Sequence, residues 1–144
     1  EYLAEHHPEA GLWPADASAR AIARAAAVEM HSGFGALRSA LPMNFSLVQE
    51  GLDRSAEVDA DIRRIMYIWE NCQLRYGAGG DFLFGSCCIT DAMYAPLVSR
   101  LRTYSVPVDP GSAAYMDAVW THPWMQAWGE KAADEPRVET YEEI

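Results

Sequence analysis

The chain has 144 residues, half of them apolar, with 11 Lys and Arg against 21 Asp and Glu for a net charge of −10. A domain of this size buries on the order of 70% of its unfolded surface, so a real core is within reach and the composition argues against wholesale disorder. The acidic balance, without a basic run, argues against a nucleic-acid backbone as partner, and no apolar run is long enough to span a membrane.

The three cysteines, Cys72, Cys87 and Cys88, have no metal-ligand spacing, and their odd number suits a reducing, cytoplasmic setting. The chain opens in mid-pattern with Glu1-Tyr2-Leu3-Ala4-Glu5, the expected end of a helix from something longer. His7-Pro8 and Gly11-Leu12-Trp13-Pro14 then read as a linker, with Leu12 and Trp13 buried to pin it. Residues 1–15 are assigned to that helix end and linker, 16–132 to a helical domain, and 133–144 to an acidic, solvated tail carrying Glu135, Glu139, Glu142 and Glu143.

Asp16 is a good N-cap for an alanine-rich helix in which Ile22, Ala26, Met30, Leu37 and Leu41 recur as one buried stripe, up to Pro42. Gly33 and Gly35 mark a bend or a close approach within it. Residues 43–54 are irregular. Ser55 caps a second long helix with Val58, Ile62, Ile65, Met66, Trp69, Cys72 and Tyr76 inward, ended by Gly77-Ala78-Gly79-Gly80. A third runs from Cys88 to about Tyr104, with Ile89, Ala92, Met93, Pro96 and Leu97 as its apolar face and a kink expected at Pro96. Asp109-Pro110 opens a short helix and His122-Pro123 a last one. The Trp120, Trp124 and Trp128 series is read as core first and partner surface second. Nothing alternates with period two, so the class is all-α, a bundle of about five helices.

The segment Phe82-Leu83-Phe84-Gly85 followed by Cys88-Ile89-Thr90-Asp91 has the spacing of a capping box, in which two orphan amides are satisfied reciprocally and a carboxylate faces the positive helix end. It resembles the helix-start element of the C-terminal helical domain of glutathione transferases, with Cys88 where that family has a hydroxyl. Glu1 to Glu5 and Leu12-Trp13-Pro14 resemble that family's interdomain linker, and Glu29-Met30-His31, with Leu37-Arg38 after it, is similar to the zeta-like bacterial branch that includes maleylacetoacetate isomerases. The resemblance covers residue 1 to about residue 132.

It implies a helical half that lines an electrophile pocket and contributes to a homodimer, beside an absent thioredoxin-like domain that binds glutathione as co-substrate. No catalytic residue is therefore assigned to this chain. Candidate substrate-binding residues are His31, Phe34 and Arg38, read as sharing one helix face, with Tyr94 and Arg102, or Arg100 two residues earlier. Each also has a structural reading: a surface histidine, an ion-paired arginine, a core tyrosine. The alternative function is a non-enzymatic interaction module of the same helical type.

Overall fold

The computed structural model describes residues 1–136, and they are all-helical. Helix α1 spans Tyr2–His6, followed by a 3₁₀ turn at Pro8–Ala10; then come α2 (Ala17–Ser32), α3 (Gly35–Ala40), α4 (Ala56–Tyr76), α5 (Ile89–Thr103), α6 (Pro110–Thr121) and α7 (Pro123–Ala133). Among the described residues no helix is long and apolar enough to cross a membrane. Glu139, Glu142 and Glu143 of the expected tail lie outside the described residues.

The caps fall where the sequence puts them. Asp16 accepts from the Ala19 amide at 2.8 Å, Ser55 from Val58 at 3.4 Å, and Asp109 from Ser112 at 3.0 Å. Each satisfies one amide that the first helical turn cannot. Gly77 ends α4 in a right-handed conformation, not the left-handed one expected of a terminal glycine. The sharp turn comes later. Gly85 has φ 83°, and a Cβ on Gly80 would run into the Gly85 carbonyl oxygen, so the chain can fold back here only without a side chain.

The expected single helix from Asp16 to Leu41 is two. Phe34 takes a left-handed conformation (φ 59°) between Gly33 and Gly35, and Asp61 of α4 accepts from the Leu37 amide at 3.0 Å, capping α3 from outside. This break turns the Phe34 ring into the core. A continuous helix would leave the first α3 amides bonded to α2 and give Asp61 nothing to cap.

Two buried faces also differ from expectation. On α2 the inward residues are Ala19, Ala23, Ala26, Ala27 and Met30, while Ile22 faces outward. Alanines let the α2 backbone approach α5 closely enough for Thr90 to donate to the Ala23 carbonyl at 3.0 Å and Tyr94 to the Ala26 carbonyl at 3.4 Å. On α5 the inward set is therefore Thr90, Asp91, Tyr94, Leu97, Val98 and Leu101, and Ala92 is exposed. On α4 the expected stripe holds, with Ile68 added and Met66 and Tyr76 half-buried. Trp69 and Tyr115 meet edge to face at 4.7 Å in the middle of the bundle.

The irregular stretch 43–54 is tied to the end of α5. Thr103 donates to the Asn44 carbonyl at 2.7 Å, Tyr104 to Pro42 at 3.1 Å, and Gln49 donates its amide to the Thr103 carbonyl at 2.7 Å. The linker is held by the Ile89 amide on the Leu12 carbonyl at 3.0 Å, whereas Leu12 and Trp13, expected to be buried, are only half-buried.

Candidate functional site

Asp91 sits in the first turn of α5 and is 2% exposed. Its Oδ2 accepts from the Cys88 amide at 2.8 Å, the return arm of the capping box. In the forward arm the Cys88 sulfur faces the Asp91 amide, which also finds the Cys88 carbonyl at 3.1 Å. Oδ1 accepts from the Leu83 amide at 3.3 Å and the Tyr115 hydroxyl at 3.1 Å. One carboxylate thus joins the Phe82–Gly85 turn, α5 and α6. Burial raises its pKa, opposed by the hydrogen bonds from Cys88, Leu83 and Tyr115. No basic side chain neutralises it: among the described residues Asp91 makes no ion pair.

The outer side of the same turn forms one wall of a groove of about 310 Å³ between α5 and α7. Ala92, Ala95 and Pro96 supply the α5 wall, Trp124, Met125 and Trp128 the α7 wall, and Phe82, Cys87 and His122 the end. Trp124 is 70% exposed and Trp128 39%, so the tryptophans expected first in the core stand at an apolar surface. The reason is that Trp120 closes α6 while the other two begin a new helix after Pro123, and the change of direction breaks the four-residue stripe. Trp120 instead stacks on Phe45 at 4.7 Å.

The groove is lined mainly by apolar side chains, with Cys87, Asp91 and His122 as its polar members. Burial, and then the Asp91 charge, push the Cys87 thiol up to about 12, so it carries almost no thiolate at neutral pH. Burial likewise raises Cys88 and Cys72, each to about 11. Asp91 is occupied by three donors. His122 accepts from the Trp124 amide at 3.4 Å and caps α7. Among the described residues no three of His, Cys, Asp and Glu group as metal ligands.

The candidate binding residues named from the sequence lie elsewhere. His31 and Arg38 are exposed, with Arg38 Nη1 donating to the His31 carbonyl at 3.0 Å, but Phe34 points inward, so the three do not share a face. Tyr94 is fully buried against Trp69, and burial raises its pKa. Arg102 pairs with Asp117 at 2.8 Å and lies over the Trp120 ring at 4.8 Å. Arg100 is half-buried and donates from Nη1 to the carbonyls of Leu41 and Arg38, closing the end of α3. Its burial, and then the Arg38 charge, lower its pKa.

The groove residues Phe82, Ala92, Ala95, Trp124 and Met125 were missed as a set. Their one signal in the sequence is the aromatic and sulfur-rich stretch Trp124-Met125 with Trp128, too short to separate a core from a contact surface. No protein-family model matches the chain, and no curated protein matches it.

Proposed function

We propose that this chain is the helical half of a glutathione transferase that conjugates or isomerises small electrophiles with glutathione. The observation that carries this reading is the pairing of a buried capping carboxylate, Asp91, with an uncovered apolar groove on the outer side of the same helical turn. Capping secures the turn, and the groove offers apolar area that water alone leaves unsatisfied. On this reading a thioredoxin-like domain covers the groove and binds glutathione, and the electrophile lies where the two halves meet. The absence of an activated thiol from the groove fits a half that supplies shape and not the nucleophile.

The test is calorimetric. The full-length encoded protein should bind glutathione, and the 144-residue chain alone should not. A tight complex of glutathione with this chain by itself would overturn the division of labour.

A second reading, a non-enzymatic interaction module, is favoured by one observation: the groove's exposed tryptophans suit protein contact as well as substrate contact. An upstream segment lacking a thioredoxin-like strand-helix-strand pattern and a Ser, Tyr or Cys near its start would select it.

A further inference from the structure

One side of the groove between α5 and α7 is a row of aromatic rings. Phe82 meets His122 edge to face at 5.7 Å, and His122 lies against Trp124 at 4.7 Å. Trp128 follows one turn later on α7. Phe45, which does not line the groove, braces the Trp128 ring edge to face at 5.4 Å. Phe45 in turn packs over Gly129, where a Cβ would collide with its ring. The row is thus positioned by its own contacts, and Trp124 and Trp128 keep exposed area to offer a ligand.

The fixed charge around this row has one sign. Among the described residues no Lys or Arg lines the groove, and the carboxylate that does line it, Asp91, makes no ion pair. The three donors on Asp91 are two amides and a hydroxyl, which orient its charge without cancelling it. Asp91 lies out of solvent, where a charge is screened less than at the surface. The whole chain carries −10. Aromatic faces bear the negative part of the ring quadrupole, so the rings and the carboxylate favour the same kind of ligand.

We infer that the groove binds a small organic cation with an apolar body, of the quaternary ammonium or arylalkylammonium class. Its volume of about 310 Å³ lies at the lower end of the range for small-molecule sites. The inference deepens the reading of the groove as the place of the electrophile, and rests on that reading for calling the ligand a substrate. It adds that cationic electrophiles are preferred to anionic ones.

Three ligands of nearly one shape test it: benzyltrimethylammonium, neutral neopentylbenzene and anionic benzylsulfonate. Each is titrated into the full chain while the indole N–H signals of Trp124 and Trp128 are followed by NMR. The cation should shift both signals and bind roughly threefold or more tightly than the neutral ligand, with the sulfonate weakest. Trp124→Leu keeps an apolar side chain but removes a ring, and should cut the affinity for the cation by about threefold or more. Ala92→Lys places a positive charge on the exposed α5 wall and should reverse the order of cation and sulfonate. Tyr67→Leu, at an exposed ring outside the groove, should change nothing. Equal binding of cation and neutral ligand, tighter binding of the sulfonate to the wild type, an affinity insensitive to Trp124→Leu, an order kept by Ala92→Lys, or a loss on Tyr67→Leu would each overturn the proposal. Glutathione binding by the full-length encoded protein decides the transferase reading separately. Its failure with the order of ligands intact would sink that reading alone, and the opposite pair of results would sink the cation preference alone.

Discussion

The Tyr115 hydroxyl of α6 donates to Oδ1 of Asp91 of α5 at 3.1 Å, with both side chains out of solvent. Removing the hydroxyl as Tyr115→Phe leaves the ring packed on Trp69 and deletes one of three donors to the carboxylate. The expected loss is about 1–2 kcal/mol, measured by urea unfolding. Removing the carboxylate is worse. Asp91→Ala strands the amides of Leu83 and Cys88 and the Tyr115 hydroxyl together, and should cost roughly 3 kcal/mol or more. If Asp91→Ala costs less than Tyr115→Phe, the carboxylate is not the junction of these elements.

The same group sets a pH dependence. Burial holds the folded-state pKa of Asp91 above its unfolded value, against the opposing hydrogen bonds. The folded state therefore binds this proton more tightly than the unfolded chain does. The contribution to stability is fully present below the unfolded pKa of about 4 and is lost as pH rises through the folded value. Relative to Asp91→Asn, the wild type should become less stable as pH climbs from the unfolded toward the folded pKa. A difference that instead grows in favour of the wild type over that range would reverse the sign argued here.

Cys88 occupies the position where a hydroxyl makes the stronger cap, because a thiol is a weak acceptor. Cys88→Ser should raise stability by at most about 1 kcal/mol on N-cap scales, read as a higher melting temperature. The side chain is 7% exposed, so some apolar burial is lost, which keeps the gain small. An unchanged or lower melting temperature would mean that the forward arm contributes nothing.

The thiols should be slow to react. With Cys87 pushed up to about 12, its thiolate fraction near pH 8 falls about a thousandfold or more below that of a free cysteine of pKa about 8.5. Labelling with a disulfide reagent should therefore be slow in the native protein and complete on unfolding, despite the half-exposed position of Cys87. Rapid native labelling would contradict the burial of this wall of the groove.

Core and groove should respond differently to truncation. Leu97 is fully buried on α5, and Leu97→Ala should cost about 2–5 kcal/mol. Trp124 is 70% exposed, and Trp124→Ala should change the stability of this chain by no more than about 0.5 kcal/mol. A large loss at Trp124 would place that ring within the fold and not at the exposed surface.

Local rules made the helices legible. Asp16, Ser55 and Asp109 start helices because each supplies an oxygen to an amide that has no helical partner, and that need is met within three residues of chain. The capping register of Cys88 and Asp91 is legible for the same reason. The inward stripe of α4 is also legible, because its periodicity is unbroken over 21 residues.

What the sequence could not settle was every feature that depends on a second element. Phe34 turns inward because Asp61, 27 positions later, caps the helix that follows it. The α5 wall of the groove faces outward because Asp91 is drawn toward Tyr115 and the Leu83 amide. Trp124 and Trp128 reach the surface because the helix breaks at extended His122, so that both belong to a new helix, α7. Hydrogen bonding within one turn fixed the helices and their all-α class; contacts between distant segments chose which faces the core would take and left an apolar groove at the surface.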